Sequence, residues 1–527
     1  MNTLFYGDNL PVLREHIADE SVDLIYLDPP FNSNASYNVL FSDRGGSRSA
    51  AQLQAFKDTW SWPEAAQTYQ ELILQDSPIA DALVAFGKLL PEGGLLAYLV
   101  MMAPRLAELH RVLKPTGSLY LHCDPTASHY LKVVMDAIFG VQMYRSEIIW
   151  KRSASHGGPV SYNDIHDVIL YYSKGDAPVW TAPRGPYDPS YIDSHYSSMD
   201  PDGRRYQLVS AHGAGPGPAR TFGGRLLNPP AGRHWMSQEH IDSMTAAGKV
   251  VFTRSGMPRY KRYLDEAEGP PLGTVWTDIN PINSQAAERL GYPTQKPLAL
   301  LERIIQASSN EGDVVLDPFC GCGTAVHAAQ ALGRRWIGID ITWAAIHTIR
   351  ERLAGAFEDL EYEVIGAPTT VADAARLAEE DPYQFQWWIT SLVGARPAEH
   401  KKGADHGIDG RLIFSDGVTR QEVILSVKAG HVTSAHVDQL HGVVEKEKAA
   451  MGALLTMQPP TGPMRATAAK AGVYESPWGK HPRIQILTAE ELLSGATLDM
   501  PPIGQVNLTY QRANRATKKE GTQGELL

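Results

Sequence analysis

The sequence predicts an α/β protein with a largely parallel sheet, interrupted by a long insertion and followed by a further globular piece. Short apolar runs alternate with amphipathic stretches over residues 1–175, as strands and helices do in such proteins. The alternation fails from about residue 175 to 291, where Pro, Gly, Tyr, Arg and Ser dominate, and it resumes at Lys296. One sheet with an inserted segment is the simplest architecture that explains both observations.

Each element of the first 175 residues follows from its local pattern. Strands are predicted where apolar residues run together, and helices where they recur every three or four positions. In chain order, the predicted elements are the strand TLFYGD, the helix NLPVLREHIA, the strand SVDLIYL, the helix LLAYLVMMAPRLAELHRVL, the strand GSLYLHC, the helix ASHYLKVVMDAIFG and the strands SEIIW and DVILYYS.

After the insertion the same alternation continues the sheet. The predicted elements are the helix PLALLERIIQASS, the strand DVVLDPF, the helix GTAVHAAQALG, the strand RWIGIDI and the helix TWAAIHTIRERL. The pattern is lost again near 357–378, and a polar tail that we expect to be disordered closes the chain. The predicted segments are 1–175, 176–291 (insertion), 292–356, 357–382 (linker), 383–498 (third globular piece) and 499–527 (tail).

Length and composition exclude several classes of protein. A chain of 527 residues is too long for one ordinary core, so two or three domains are expected. Three cysteines exclude a disulfide framework, and no stretch is typical of a signal peptide or a membrane span. A reduced, cytoplasmic protein follows. The net charge of -11 excludes a uniformly basic nucleic-acid binder, although a local basic patch remains compatible with it.

A glycine pair between a strand and a helix indicates a nucleotide-type site. In VVLDPFCGCGTAVHAA, Gly321 and Gly323 let backbone amides and the helix N-terminus approach a ligand closely. Asp340 ends the next strand, seventeen residues beyond Gly323, where a carboxylate can bind a pair of ribose hydroxyls. A tight strand-to-helix turn with a solvated aspartate would explain the same residues. Asp317 and Phe319, which precede the glycines, resemble S-adenosylmethionine sites more than NAD sites.

A second strand ends in an unusual stretch, Asp28, Pro29, Pro30 and Phe31, within IYLDPPFNSN. Prolines fix φ and cannot continue a strand or a helix, so this acid and ring lie in a stiff loop. Together with DPFCGCGT, GDNLPVL and PTQKPLALLERII, the stretch resembles the amino-methyltransferases of DNA, over roughly residues 1–355. The catalytic loop precedes the insertion and the cofactor loop, which resembles the permuted β-class arrangement.

The resemblance implies a Rossmann-like, S-adenosylmethionine-dependent enzyme that methylates a base flipped out of double-stranded DNA. It implies that the Asp28 carboxylate and the Pro29 carbonyl accept hydrogen bonds from the target amine, and that Phe31 stacks on the base. Asp at the first position favours the N6 amine of adenine, whereas relatives with Ser usually act on the N4 amine of cytosine. N4-cytosine therefore remains an alternative.

By the same resemblance, the cofactor-binding residues are Asp8, Lys296, Asp317, Phe319, Gly321, Gly323, Thr324 and Asp340. Asp8 is expected near the adenine of the cofactor. Lys296 is expected near its methionine carboxylate, although an ordinary lysine at the start of a helix would fit the sequence equally well.

Positive charge is concentrated in one part of the insertion, although the whole chain is negatively charged. Between residues 203 and 262 ten Lys or Arg face two acids, for a net charge of +8, and aromatic residues are interleaved with them. Arginines with aromatics are suited to phosphate contact and base reading, although a solvated loop face has a similar composition. The predicted DNA-binding residues are Arg204, Arg205, Arg220, Arg225, Arg233, Arg254, Arg259, Lys261 and Arg262.

The third globular piece resembles the PD-(D/E)xK nuclease core of the Mrr-like branch, over about residues 395–475. Asp409 and Lys428 match its motif, but Ser426 stands where an acid or amide is expected. Asp409 would ligate Mg²⁺ only if this domain cleaves DNA. An active nuclease, a nuclease fold retained for DNA binding, and a partner-docking domain all remain open.

Three functions fit the whole chain. The first is a site-specific DNA adenine methyltransferase, acting with S-adenosylmethionine on double-stranded DNA. The second is a bifunctional restriction–modification enzyme, and the third is a DNA-binding regulator built on an inactive methyltransferase. The resemblance further implies a bacterial, nucleoid-associated protein in the cytoplasm, with a homodimer as one expectation.

Overall fold

The computed structural model describes residues 1–30, 62–153, 162–283, 286, 288–290, 292, 294–397, 407–415 and 419–501, and two short strands between 31 and 61 by their backbone. These residues form two compact units. The larger combines Met1–Thr181 with the described residues from Thr274 onward, and the smaller is Ala182–Gly273. The predicted stacking residue Phe31 and the predicted tail beyond 501 lie outside the described residues.

Residues 1–181 contain the predicted elements and two helices that were not predicted. The strands are β1 (Thr3–Tyr6), β2 (Val22–Leu27), β3 (Tyr37–Val39), β4 (Leu53–Phe56), β5 (Leu113–Cys123), β6 (Tyr144–Lys151) and β7 (His166–Ser173). The helices are α1 (Asn9–His16), α2 (Trp62–Ile73), α3 (Pro78–Leu89), α4 (Gly94–Val112) and α5 (Pro125–Phe139). The helices that were not predicted are α2 and α3. In α3 the apolar Leu89 is exposed, so the apolar residues of this helix do not all fall on one face.

The smaller unit is built from short elements around a small core. Its helices are α6 (Pro189–His195) and α7 (Gln238–Ala246). Its strands are β8 (Ser198–Met199), β9 (Arg205–Ser210), β10 (His212–Ala214), β11 (Arg220–Phe222), β12 (Arg225–Leu227), β13 (Arg233–Trp235), β14 (Val250–Phe252) and β15 (Pro258–Tyr263). A sheet in the order β14-β15-β9-β8 lies beside two strand pairs. Elements of this length produce no lasting period, which is why the alternation fails here.

The main sheet is completed after the insertion. The further elements are β16 (Val275–Trp276), α8 (Leu298–Ser308), β17 (Val314–Asp317), α9 (Thr324–Ala331), β18 (Arg335–Asp340), α10 (Trp343–Ala356) and β19 (Glu363–Ile365). The strand order is β16-β6-β7-β5-β2-β17-β18-β1-β19, and β7 alone runs antiparallel to its neighbours in it. Because β16 pairs with β6, the compact insertion is shorter than the expected 176–291.

Strand β2 explains how the sheet is buried. All six of its residues are buried, with Leu24 and Tyr26 in one hydrophobic cluster and Ile25 and Leu27 in another on the opposite face. A strand covered on both faces is apolar without alternation. The parallel strands β1, β2, β17 and β18 therefore direct their carboxyl ends, and the loops that follow, to one edge of a central sheet.

The expected linker is ordered. It contains β19, at the edge of the main sheet beside β1, and α11 (Val371–Glu380), whose N-terminus has a capping box. Only Ala374 of α11 is fully buried, so the sequence offers little apolar periodicity there.

The C-terminal piece is an α/β domain that packs against α10 of the preceding segment. Its elements are α12 (Pro382–Leu392), β20 (Arg396–Pro397), β21 (Gly410–Ser415), β22 (Arg420–Lys428), α13 (Ser434–Glu447), β23 (Met451–Thr456), α14 (Gly462–Lys470), β24 (Val473–Ser476), β25 (Gly479–Pro482), β26 (Ile484–Thr488) and α15 (Ala489–Leu493). Its sheet has the order β20-β21-β22-β23-β26. Trp343 of α10 donates to Gln384 Oε1 (2.8 Å) and Ser391 Oγ (2.6 Å) of α12. Among the described helices, none combines the length and apolarity needed to cross a bilayer.

Candidate active site

One pocket collects most of the predicted catalytic and cofactor-binding residues. It lies where the loops after β1, β2, β17 and β18 meet. Its lining residues are Gly7, Asp8, Asn9, Asp28, Pro29, Pro30, Met101, Arg105, Tyr292, Thr294, Lys296, Pro318, Phe319, Gly321, Asp340, Ile341 and Thr342. The predicted catalytic loop and the predicted cofactor loop, which are far apart in the chain, therefore share one cavity. The predicted residues Asp317, Gly323 and Thr324 are not among the lining residues.

The glycine loop adopts a conformation that its glycines require. Gly323 has φ +73° at the N-cap of α9, and a Cβ there would lie 2.7 Å from Ile349 Cγ1. A side chain would thus be strained by the backbone and blocked by α10. Gly321 also has positive φ, and its N–H donates to Asp340 Oδ2 at 2.9 Å. The Gly321 N–H is therefore bound by the Asp340 side chain, a contact that the sequence did not predict.

A buried arginine supports the loop from behind. Arg352 of α10 donates through Nη1 to the Cys322 carbonyl (3.1 Å) and to Thr324 Oγ1 (3.0 Å). Thr324 and Arg352 therefore stabilise the glycine loop by these hydrogen bonds, and the sequence did not predict the part of Arg352.

Two acids of the pocket region carry shifted pKa values. Burial raises the pKa of Asp317 well above its ordinary value, the Phe319 N–H opposes this, and the Asp28 and Asp340 carboxylates add to it. Burial also raises the pKa of Asp340, against hydrogen bonds from Thr342 and Gly321. Carboxylates gathered in a buried space disfavour each other's charge, so a cationic ligand would stabilise their ionised forms.

Arg105, which the sequence did not predict as a site residue, holds the loop that follows β1. Its Nη2 donates to both Asp8 oxygens (2.8 and 3.1 Å), its Nε to Asn9 Oδ1 (2.7 Å) and its Nη1 to the Met101 carbonyl (2.8 Å). Asn9 in turn donates to the Pro318 carbonyl at 2.8 Å, which joins α4, the β1 loop and the β17 loop. A charged residue inside the apolar helix LLAYLVMMAPRLAELHRVL is the signal that could have found it.

Lys296 contacts the catalytic loop. Its Nζ lies 2.5 Å from Asp28 Oδ2, and the two side chains are only 12% and 17% exposed. The loop that carries it is held by Gln295, which accepts from Leu290 N and donates to the Glu288 carbonyl. Tyr292 of the same loop lines the pocket beside Gly321 and was missed, because nothing in its neighbours marks it out.

A buried polar network lies behind Asp28. Tyr26 of β2 hydrogen-bonds with His122 Nδ1 (2.9 Å), and His122 Nε2 hydrogen-bonds with Asp167 Oδ2 (3.0 Å). Arg152 Nη1 lies 3.0 Å from the other oxygen of Asp167. Burial lowers the pKa of His122, so the neutral ring links β2, β5 and β7 at the site.

The predicted DNA-binding residues of the smaller unit fall into two groups. Three of them form ion pairs inside the unit: Arg204 with Asp265 and Glu266, Arg205 with Asp193, and Lys261 with Asp200. The other six, Arg220, Arg225, Arg233, Arg254, Arg259 and Arg262, have no ion pair among the described residues.

The local charge estimate of +8 needs a correction. The window 203–262 stops just before Asp265, Glu266 and Glu268, and it begins after four further acids of the same unit. Residues 182–273 contain eleven Lys or Arg against nine Asp or Glu, a net charge of +2. The unit is therefore nearly neutral, and its six unpaired arginines stand out from it.

The C-terminal residues singled out by the sequence do lie together. Asp409 Oδ2 accepts from Val427 N (2.7 Å) and Ser426 Oγ (3.2 Å), and Lys428 Nζ lies 3.5 Å away. Glu422 is paired with Arg411 instead. Over the described part of the chain, no group of three or more His, Cys, Asp or Glu side chains could hold a metal ion.

A ligand pocket at the carboxyl edge of a mainly parallel sheet, with a glycine turn and an acid on the next strand, defines a doubly wound α/β enzyme with a nucleotide-type site. Comparison with known proteins is more specific. The sequence model of the DNA methylase family matches residues 22–351, so the chain belongs to that family and is a DNA methyltransferase. The model "NACHT-associated inactive Restriction Endonuclease 1" matches residues 382–494, so the C-terminal domain is similar to a restriction-endonuclease-like family.

Several individual proteins are similar. The type II methyltransferase M.EcaI of Enterobacter cloacae is 29% identical over 357 residues, which cover 67% of this chain and 69% of that protein. The DNA adenine methyltransferase YhdJ of Escherichia coli K12 is 24% identical over 72% of this chain and 93% of its own. The solved complex of M1.HpyAVI with S-adenosylmethionine matches 67% of this chain and 99% of that one, at 14% identity and a TM-score of 0.30.

Proposed function

We propose that this DNA methyltransferase transfers a methyl group from S-adenosylmethionine to the N6 amine of an adenine flipped out of duplex DNA, at a specific site. The observation that carries the proposal is that Asp28 and Pro29 line the same pocket as Asp340 and Gly321. An acceptor for an amine and a cradle for a nucleotide thus share one cavity. The match to YhdJ, a DNA adenine methyltransferase by name, supports the same base.

The residues present fit S-adenosylmethionine. Asp340, at the tip of β18, suits a pair of ribose hydroxyls, and Lys296 is a cation available to a carboxylate. Asp28, Asp317 and Asp340 together favour a positively charged ligand, which suits a sulfonium. When bound, the cofactor supplies an electrophilic methyl group.

Asp28 and Pro29 prepare the target amine. Its lone pair is delocalised into the base, so it is a weak nucleophile until its N–H groups are held. The Asp28 carboxylate and the Pro29 carbonyl accept those two hydrogens, and the nitrogen becomes tetrahedral with its lone pair facing the methyl group. As the N–C bond forms, the bond between the methyl group and the sulfonium sulfur breaks, and the surplus proton on nitrogen passes to the Asp28 carboxylate. Pro29 and Pro30 fix φ, so the acceptors need no reorganisation.

The smaller unit supplies DNA contacts in this proposal. Phosphates and base edges would compete with no carboxylate for the six arginines without an ion pair, whereas the arginines and lysine bound to acids must first break an ion pair. Flipping the base out costs a few kcal/mol of stacking and pairing, which such contacts must offset.

The test uses tritiated S-adenosylmethionine, unmethylated genomic DNA and nucleoside analysis. Wild type is compared with Asp28→Ala and with Asp278→Ala, a matched control because Asp278 is also paired with a cation, Arg303, away from the pocket. We expect label in N6-methyladenosine, lost in Asp28→Ala and kept in the control. Label in N4-methylcytosine would overturn the choice of base, and no label in any nucleoside would overturn the proposal and favour a regulator.

We further propose that the C-terminal domain contacts DNA without cleaving it. The family model that it matches is named inactive, and Asp409 has Ser426 and Lys428 beside it where a metal site needs a second acid. Supercoiled plasmid incubated with the protein and Mg²⁺ should stay intact. Strand breaks that disappear in Asp409→Ala would instead establish the bifunctional enzyme.

The homodimer implied by the resemblance is also a proposal. Light scattering of the purified protein tests it, with a mass near 115.6 kDa expected for two copies of a 57.8 kDa chain.

A further inference from the structure

The contact between Lys296 and Asp28 joins two parts of the pocket that are distant in the chain. Lys296 Nζ lies 2.5 Å from Asp28 Oδ2, and the two residues are 268 positions apart. Both side chains are largely buried, so solvent screens the charges only weakly. This is a charge-assisted hydrogen bond, which is stronger than one between neutral groups.

That contact competes with the proposed reaction. The target amine must donate a hydrogen bond to the Asp28 carboxylate, and Lys296 already donates to the same group. A neutral amine is a weaker donor than an ammonium, so it does not displace the lysine unaided. Lys296 occupies Oδ2 and leaves Oδ1 able to accept, so an acceptor that takes Lys296 over gives the whole carboxylate to the amine and strengthens base capture.

The other groups of the pocket show why Lys296 is the cation that can turn. Arg105 is fixed, because each of its three nitrogens donates to Asp8, Asn9 or the Met101 carbonyl. Asp340 is held by Gly321 and Thr342. A lysine carries its charge on a flexible stem with three rotatable donors, so it can exchange one oxygen for another at little cost in geometry.

We propose that Lys296 is a positioning residue that makes capture of the target base depend on the bound cofactor. It holds Asp28 before the cofactor arrives, and the cofactor carboxylate draws its ammonium away and leaves Asp28 open to the amine. Lys296 exchanges one carboxylate partner for another, so its ammonium stays paired throughout. The inference rests on the proposed function and adds an order of binding to it.

The test measures base capture, the movement of the target adenine out of the DNA stack and into the pocket. It uses two unreactive cofactor analogues as probes. A duplex containing the mapped methylation site carries 2-aminopurine beside the target adenine, so its fluorescence rises when the adenine leaves the stack. S-adenosylhomocysteine has the amino-acid carboxylate, and 5′-methylthioadenosine lacks it. In wild type, the first probe should strengthen base capture by about tenfold, the value of one charge-assisted hydrogen bond. The second should leave it unchanged.

Three variants complete the test. Lys296→Gln should capture the base equally with and without S-adenosylhomocysteine, whereas Lys296→Arg should keep the dependence because it keeps the charge. Lys132→Gln is the matched control, since Lys132 is paired with Asp136 on α5 outside the pocket. Calorimetry on the protein alone should show that Lys296→Gln loses the preference for S-adenosylhomocysteine over 5′-methylthioadenosine.

The outcomes separate this inference from the proposed function. If methyl transfer is found but both probes act equally on wild type, or Lys296→Gln keeps the dependence, the inference is refuted and the proposed function stands. If no nucleoside is methylated, both are refuted. If Lys296→Gln does not fold, the comparison of the two probes on wild type and on Lys296→Arg still tests whether base capture depends on the cofactor carboxylate.

Discussion

Replacing His327 with Asn should remove an acid-sensitive element from the helix that follows the glycine loop. His327 lies in α9 and is buried, and its Nδ1 has no hydrogen-bond partner among the described residues. Burial, with the Arg352 charge, lowers the pKa of His327 from 6.5 to about 3. The folded protein therefore keeps the ring neutral at pH values where the unfolded chain protonates it.

The sign and size of the effect follow from that difference. Below pH 6.5 the unfolded state binds a proton that the folded state refuses, so stability falls as the pH falls towards 3. Between pH 7.5 and 5.0 the loss amounts to about 2 kcal/mol. His327→Asn leaves a small cavity whose cost is the same at both pH values, so it shifts stability without this pH dependence.

Urea unfolding of wild type and His327→Asn at pH 7.5 and 5.0 measures the difference. Wild type should lose about 2 kcal/mol more than the variant over this range. The exposed His240, replaced in the same way, is the matched control and should leave the wild-type pH dependence unchanged. Equal losses in wild type and His327→Asn would refute the reasoning, because they would mean that the folded state protonates this ring as readily as the unfolded chain does.

Three further predictions concern the pocket and the smaller unit. Gly323→Ala should weaken S-adenosylmethionine binding and lower the thermal unfolding midpoint more than Gly312→Ala. Both glycines have positive φ, but only a Cβ at Gly323 meets a neighbouring side chain. Equal shifts of the unfolding midpoint in the two variants would contradict this reasoning. Arg105→Met should raise the KM for the cofactor by about tenfold or more and change kcat little. The substitution removes the hydrogen bonds that hold Asp8 and Asn9 in place, and it leaves the loop that carries Asp28 untouched. Arg254→Gln should reduce the salt dependence of DNA binding by about one counterion, whereas Arg204→Gln, already paired with acids, should not; the opposite ranking would refute the assignment.

Much of the fold was predictable because its signals are local. Strand β2 is a run of six buried residues between an apolar helix and a proline loop, so its existence and its end follow from the sequence. Strand β16 has two residues and β19 three, and such elements exist only because a neighbouring strand supplies their hydrogen bonds. No local pattern could have indicated them.

The same distinction applies to the site. Asp28, Gly321 and Asp340 follow strands directly, so their place at the carboxyl edge of the sheet could be predicted and the structure puts all three in the pocket. Arg105 and Tyr292 lie in a helix and in a loop, and they reach the pocket only through tertiary packing. The charge inside an apolar helix marks Arg105 as unusual, but the spacing of residues in the sequence does not show which pocket either residue lines.

The local charge estimate failed for a related reason. A window along the chain groups residues by sequence, whereas electrostatic pairing groups them by space. Arg204 at the start of the window meets Asp265 and Glu266 beyond its end, because β15 pairs antiparallel with β9. A basic surface should therefore be counted over a folded unit, and the six arginines that remain unpaired are better candidates than the sum of charges.

Long-range ion pairs also explain how one pocket tolerates so many acids. Asp8 and Asp28 line it with Asp340, and each of the first two is paired with a cation at least 97 positions away, Arg105 or Lys296. Without these cations the negative charges of the carboxylates would repel one another across the pocket. The two pairs differ in one respect. Arg105 is held by three partners and preserves the shape of the pocket, whereas a lysine ammonium can change partner, which is why we propose that ligand binding moves Lys296, the cation beside Asp28.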